Sequence, residues 1–108
     1  MGALRPLAIA KNYAEMQAAF RRYIEEIDTS RATIDHVTGW ADGYAGKVLA
    51  PDPTRGMGKT TLGLFLESVG LVLIVAQDID AFDRRRHRLP PRNLSHVRQP
   101  KKSRRGKP

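Results

Sequence analysis

Residues 32–49 of the chain read ATIDHVTGWADGYAGKVL, and this sequence predicts two short helices separated by a tight turn. Thr29 and Ser30 are both good N-caps for the first helix of this pair, and Gly39 suits the left-handed turn that ends it. Trp40 follows as an apolar plug, and Asp42 can begin the second helix. The rest of the predicted fold is built around this pair of helices.

A longer helix is predicted before the pair. Apolar residues recur there at steps of three and four, which is the period of one face of an α-helix. Asn12 followed by Glu15 resembles an N-cap with a reciprocal acidic residue, and it marks the start of the helix. The apolar face consists of Tyr13, Met16, Phe20, Tyr23, Ile24 and Ile27.

A fourth helix and a strand are predicted after the pair. Pro51 ends the second helix of the pair, which is the third helix of the chain, because proline cannot continue a helix. Thr60 or Thr61 is expected to cap the fourth helix, which ends at Gly70. Residues 71–76 read LVLIVA, and their β-branched content predicts a buried strand.

The charge of the chain is unevenly distributed. The net charge is +8, and residues 84–108 contain 11 of the 19 lysines and arginines and no acidic residue. Residues 1–83 therefore carry eight cations against 11 acidic residues. The basic segment has too few apolar residues to form a core. The predicted architecture is mainly α, with a four-helix domain over residues 12–80 that includes one C-terminal β-strand, and a disordered basic tail over residues 84–108.

Several classes of site are excluded by composition. Cysteine is absent, which excludes a disulfide, a thiolate metal site and a cysteine nucleophile. His36, His87 and His96 lack metal-ligand spacing, and no catalytic arrangement is recognisable, so we expect neither an enzyme nor a cofactor. The longest apolar stretch, residues 62–76, is too short to span a bilayer and contains Glu67. We therefore expect a cytoplasmic protein with no membrane partner.

Residues 55–61, RGMGKTT, look like a phosphate-binding loop of the P-loop class. The full pattern needs glycine six residues before the lysine, where this chain has Pro53. A P-loop also needs a buried strand leading into it, and residues 50–54 (APDPT) cannot form one. The sequence therefore favours an ordinary loop before a helix that begins at Lys59.

A short helix, a glycine turn, an apolar residue and a second short helix make the helix-turn-helix pattern, which presents one face of the second helix to a major groove. Residues 32–49 resemble the lambda-repressor-like, Xre-type family in this respect. Residues 60–75, TTLGLFLESVGLVLIV, resemble the fourth helix and closing strand of its phage-regulator-like and antitoxin-like members. The chain departs from the family at Asp35, where alanine is usual, and at Thr38, where an apolar residue is usual.

This resemblance implies roles in DNA binding. Lys47 can donate to guanine or phosphate, Tyr44 can contact a phosphate or a thymine methyl group, and Asp42 can accept from cytosine or cap the helix. The candidate DNA-binding residues are Thr29, Ser30, Arg31, Asp42, Gly43, Tyr44, Gly46, Lys47, Arg55, Lys59, Arg84, Arg85 and Arg86.

The function that follows is sequence-specific binding of double-stranded DNA by a transcriptional regulator, a repressor, whose basic tail adds non-specific phosphate contacts. An unpaired apolar strand is a template for another chain, so we expect a homodimer formed through residues 71–76. Two alternatives stay open. One is an RNA- or protein-binding adaptor, and the other is the DNA-binding antitoxin of a toxin pair, with a small protein partner.

Overall fold

The computed structural model describes residues 2–92 and confirms the mainly α-helical class. The chain divides into two units, residues 1–72 and residues 73–108. Within residues 2–92, the first unit contains four helices and the second contains one helix with a 3-10 turn after it. These elements are α1 (Tyr13–Glu26), α2 (Arg31–Thr38), α3 (Tyr44–Val48), α4 (Lys59–Val69), α5 (Ile79–Arg85) and the turn Arg86–Arg88. No helix within residues 2–92 is both long enough and apolar enough to cross a membrane.

The core of the first unit takes side chains from all four of its helices. The ring of Phe65 on α4 is central: its centroid lies 4.9 Å from that of Phe20 and 5.7 Å from that of Trp40. Aromatic rings bury large areas, and ring pairs at these distances add to the burial energy. The buried apolar residues are Phe20, Ile24, Ile34, Trp40, Ala45, Val48, Leu49 and Phe65.

The predicted ends of α1 and α2 are confirmed. The side chain of Asn12 accepts the N–H of Glu15 at 2.9 Å, and the hydroxyl of Ser30 accepts the N–H of Thr33 at 3.1 Å. Gly39 ends α2 with φ of 76°, in the left-handed region that glycine adopts without strain. These cap residues bond to, or set the conformation of, backbone only a few positions away, so the sequence alone can predict them.

The predicted caps of α4 need correction. The helix begins at Lys59, as expected, but its N-cap is Gly58. The hydroxyl of Thr61 donates to the carbonyl of Gly58 at 3.0 Å, so it does not cap a backbone N–H group. Thr60 lies inside the first turn of the helix. The end of α4 at Gly70 is confirmed.

The strand predicted over residues 71–76 is not formed in the single chain. The N–H of Leu71 bonds to the carbonyl of Leu66 at 3.0 Å, and the chain then runs on without regular structure. The side chains of Ile74 and Val75 are 71% and 100% exposed. A strand needs a partner for its backbone groups, and residues 2–92 contain no other strand. The strand prediction, which was based on β-branched composition alone, is therefore wrong for the single chain.

The basic segment begins with more structure than predicted. Asp78 accepts the N–H of Ala81 at 3.1 Å and caps α5, whose last two residues are Arg84 and Arg85. The expectation of an unstructured chain from Arg84 onward is therefore wrong for residues 84–88. The cause is a helix with acidic residues at its start and arginines at its end, which suits the helix dipole. Residues 93–108 of the predicted tail lie outside the described residues.

Candidate nucleic-acid interface

The start of α3 is fixed by one buried carboxylate on α2. Asp35 is 5% exposed. One of its oxygens accepts the N–H of Gly43 and the other accepts the N–H of Ala45, both at 2.8 Å. The first N–H groups of a helix have no partner within the helix, and a negative charge there interacts favourably with the helix dipole. Asp35 thus determines where α3 begins relative to α2.

This arrangement corrects the predicted start of α3. The N-cap is Gly43, whose φ of 87° lies in the left-handed region, and the side chain of Asp42 makes no capping hydrogen bond at this helix. Asp42 is exposed instead. The capping role belongs to Asp35, which reaches α3 from the preceding helix. Of the two roles considered for Asp42, only contact with DNA stays a prediction.

The C-terminal end of α3 is held by side chains from α1 and α2. Gln17, which is buried on α1, donates its amide to the carbonyl of Val48 at 3.0 Å. The guanidinium of Arg31 donates to the carbonyl of Leu49 at 3.1 Å and lies 3.7 Å from the carboxylate of Glu25. No N–H group within α3 bonds to these carbonyls, because they lie at the end of the helix. Arg31, a predicted DNA contact, is therefore occupied in supporting α3.

The loop between α3 and α4 is bound to the helices before it by three side chains. Each side chain contacts the backbone of one loop residue, and together they cover three consecutive residues. The end of the loop that leads into α4 is therefore bound to α1 and α3. The pairs are Gln17 with Arg55 (2.9 Å), Tyr44 with Gly56 (2.8 Å) and Tyr13 with Met57.

The outer face of α3 is small and nearly bare. Ala45 and Val48 are buried, whereas Gly46 and Lys47 are exposed. A Cβ added to Gly46 would meet no atom within 4 Å. The solvent side of α3 therefore consists of Gly46, Lys47 and part of the half-buried Tyr44.

The N-termini of α2 and α4 provide further polar groups in this unit. Ser30 and Thr29 precede α2, and the hydroxyl of Ser30 contacts both the N–H and the hydroxyl of Thr33. At the start of α4, Gly58 offers no side-chain cap, and Lys59 is exposed. Backbone N–H groups at a helix N-terminus bind anions, and a nearby cation adds to the attraction.

The predicted site residues fall into four sets, the first of which is the pair Thr29 and Ser30 before α2. Asp42, Gly43, Gly46 and Lys47 lie together on or beside the exposed side of α3, and Arg55 and Lys59 follow in the loop and at α4. Arg31 and Tyr44 are engaged in hydrogen bonds to backbone carbonyls, so their roles are at least partly structural. Arg84, Arg85 and Arg86 belong to the second unit, on α5 and the turn that follows.

The sequence analysis missed the polar residues that shape this surface. Ile34 is buried as expected, but Val37 is exposed, and the other buried positions of α2 are Asp35 and Thr38. Thr38 donates to the carbonyl of Ile34 at 2.6 Å and accepts the N–H of Trp40 at 3.2 Å, which shapes the turn. The available signal was the departure from the family pattern at these two positions, because a polar residue on an inner face needs a specific partner.

Metal and nucleotide sites find no support in the described residues. Within residues 2–92 no group of three or more His, Asp or Glu side chains is placed to hold a metal ion. Residues 50–54, before the P-loop-like segment, form an irregular loop and not the strand that a P-loop requires. No family model matches the chain, and comparison with curated proteins and with solved structures found no match.

Proposed function

We propose that the protein is a cytoplasmic, sequence-specific DNA-binding transcriptional regulator, a repressor without catalytic activity, whose first unit is a helix-turn-helix domain. One observation carries the proposal. The carboxylate of Asp35 binds two backbone N–H groups at the start of α3, which holds that helix with Ala45 inward and Lys47 outward. A helix held in this way against its neighbour can enter a major groove, which admits one α-helix.

The outer face of α3 suits close contact with base edges. Gly46 has no side chain, so the backbone of the helix can approach the groove floor. Lys47 then supplies a donor for the acceptors of guanine. Tyr44 also stabilises the fold, because its hydroxyl donates to the carbonyl of Gly56 at 2.8 Å. Its ring packs edge-on against Trp40, with centroids 4.9 Å apart.

The flanking helix starts supply contacts to the phosphates. The N-terminus of α4 has no side-chain cap, and the exposed residues Lys59 and Arg55 add positive charge there, whereas at α2 the hydroxyl of Ser30 already accepts the N–H of Thr33. Contacts of this kind position a protein on the duplex without reading its sequence. Base readout by α3 and positioning by α2 and α4 are therefore separate tasks in the proposal.

The second unit provides the long-range attraction. Residues 1–72 carry eight cations and eight acidic residues, so the first unit is neutral, whereas residues 73–108 carry 11 cations and three acidic residues. Phosphate contacts by lysine and arginine release counterions and are nearly independent of base sequence. The second unit thus supplies most of the affinity for DNA at low salt, and the first unit discriminates between base sequences.

The proposal includes a homodimer formed through residues 71–76. These residues are uncharged and apolar, and Val72, Leu73, Ile74 and Val75 are all exposed in the single chain. Their side chains and backbone groups would be buried by pairing with the same segment of a second copy. A two-fold dimer would also present two copies of α3 to successive turns of the duplex.

The exposed segment supports one alternative role for the same DNA-binding unit. An extended apolar segment can equally pair with a second small protein, as the antitoxin of a toxin pair would do. Purification of the full chain from its native cells separates the two assemblies. The proposed regulator elutes as a homodimer, and the antitoxin elutes with a second chain in fixed ratio.

The DNA-binding proposal is tested by selecting duplexes from a random library with the full chain. Lys47→Ala should weaken binding to the selected duplex by about 1–3 kcal/mol more than binding to random DNA, which is the worth of a good base contact. Lys11→Ala is the matched control, because it removes the same charge from the segment before α1. Failure to enrich any sequence, or equal losses on both DNAs for Lys47→Ala, would contradict readout by α3.

A further inference from the structure

Residues 84–88, RRRHR, span the end of α5 and the turn that follows it. Arg86–Arg88 form a 3-10 turn, which the N–H of Leu89 closes by bonding to the carbonyl of Arg86 at 3.0 Å. At the junction, Arg85 has φ of −107° and ψ of 0°, at the edge of the right-handed helical region, and Arg86 has φ of −55° and ψ of −37°, well within it. A 3-10 turn at the end of an α-helix winds the same way but more tightly. Only a small backbone change therefore separates this turn from a further turn of α5.

The charge of the segment explains why α-helical winding stops at Arg85. Four of the five residues are arginines, and no acidic residue follows Asp83 in the chain. In an α-helix, positions three and four apart are neighbours, so Arg88 would lie beside both Arg84 and Arg85. Like charges at this spacing destabilise a helix, and no ion pair within residues 2–92 involves these arginines. Negative charge close to these arginines would reduce the repulsion and favour a longer α-helix.

We propose that residues 86–88 become α-helical when these arginines bind the phosphate backbone of DNA, which lengthens α5 by about one turn. The inference rests on the proposed function, because it takes the same DNA as the partner of the second unit. Phosphates neutralise the arginines and remove the repulsion that ends the helix. Order is thus gained on binding, as in other charged segments that fold on a partner.

The sequence sets both the direction and the limit of this extension. At about 100° per residue, Arg84, Arg85 and Arg88 would share one side of the lengthened helix, and Arg86 would lie on the opposite side. The extension stops before Leu89, because a residue that precedes proline is disfavoured in the α-helical region. Leu89 already has φ of −128° and ψ of 59°. The result is one basic face of fixed length.

The test is NMR spectroscopy of the isotope-labelled full chain, alone and saturated with a selected duplex. The Cα shifts of residues 86–88 should move toward α-helical values on the duplex, and their amide exchange should slow. The shifts of Leu89 should not move in that direction. Unchanged Cα shifts for residues 86–88 at saturation would overturn the proposal.

A charge-preserving variant adds a second readout. His87→Pro removes the N–H that an added α-helical turn needs, whereas proline is favoured at the second position of a turn. The pre-proline restriction on Arg86 acts on the free and the bound chain alike, because Arg86 already lies in the right-handed helical region. This variant should bind the duplex several-fold more weakly than the natural chain. Gln77→Pro, which lies before α5, is the matched control and should bind normally. Equal affinity for His87→Pro and the natural chain would overturn the extension.

The same spectra distinguish this inference from the proposed function. If the selected duplex perturbs the amides of α3 but leaves residues 86–88 unchanged, the extension fails and the function stands. If random and selected duplexes both convert residues 86–88 and neither perturbs α3, the extension stands and sequence-specific readout fails. If no duplex binds, both are overturned.

Discussion

The two units of this chain divide structure and charge in opposite ways. Residues 1–72 have a core in which several side chains are fully buried, and their charges sum to zero. Residues 73–108 carry the entire excess of +8, and α5, within their described part, contains no buried residue. A neutral unit with fixed side chains is suited to recognising shape and hydrogen-bonding pattern. A highly charged unit with exposed side chains is suited to binding any phosphate backbone.

The largest expected effect comes from removing part of the charged unit. A chain that ends at Pro91 keeps α1–α5 and the 3-10 turn but loses seven cations and no acidic residue. If about five of these cations contact phosphates, the slope of log affinity against log salt should fall by roughly 4–5 units. Affinities for selected and random DNA, measured across a salt series, should fall together.

The ratio of the two affinities is the sharper observable in that experiment. It should stay nearly constant, because phosphate contacts carry almost no sequence information. A shortened chain with an unchanged salt slope and a reduced ratio would show that the removed residues read bases. The proposed division between the units would then be wrong.

The next largest effect concerns the neutral unit. Asp35→Ala leaves two N–H groups of α3 without their acceptor and should lower the free energy of unfolding by about 2–3 kcal/mol, as measured by urea denaturation. It should also reduce discrimination between selected and random DNA, since α3 loses its fixed start. Asp52→Ala, at an exposed position in the loop before α4, is the control and should change neither quantity. A fully stable Asp35→Ala variant would contradict the capping role.

The segment that joins the units gives a prediction about assembly. Val75→Lys places a charge in the proposed dimer strand and should weaken self-association by tenfold or more, which is about 1.4 kcal/mol. Ile9→Lys is the matched control, since that side chain is also apolar and is 87% exposed. Sedimentation equilibrium measures both. A natural chain that stays monomeric well above micromolar concentration would remove the dimer from the proposal.

The smallest expected effects come from replacing two glycines, for which we compare the change in stability with the change in DNA binding. Gly46 on α3 and Gly63 on α4 both have open space where an added methyl group would lie, and neither needs a positive φ. Alanine at each position should therefore stabilise the first unit by about 0.5–1 kcal/mol, through helix propensity. Gly46→Ala should nevertheless weaken binding to the selected duplex, whereas Gly63→Ala should not. Equal binding by both variants would indicate that α3 does not approach a groove closely.

Local signals in the sequence predicted much of the first unit. The ends of α1 and α2 depend on residues within a few positions of the cap, and Asn12, Ser30 and Gly39 were identified for that reason. The apolar spacing likewise identified Phe20, Ile24 and Phe65 as core residues. Such features act over one helical turn, so they can be recognised without knowledge of tertiary contacts.

The missed features depend on distant partners. Gln17 binds carbonyls 31 and 38 residues away, and nothing near it in sequence indicates those partners. The strand over residues 71–76 was predicted from composition, but β-structure depends on a pairing strand. In the second unit, Asp78 caps α5, a helix that the sequence analysis did not predict. The sequence contained an N-cap, a first-turn acid and last-turn arginines there, and the density of arginines obscured them.

The hydrogen bonds of Asp35 have a consequence for changing what α3 recognises. Both bonds go to backbone N–H groups, so they do not depend on which side chains the helix carries. Positions 42, 46 and 47 are exposed and take no part in the core, whereas Gly43 is needed for its left-handed conformation. These three positions can therefore be randomised together on an intact scaffold. If α3 reads base sequence as proposed, the first unit is a starting point for engineering new sequence preferences without redesigning the fold.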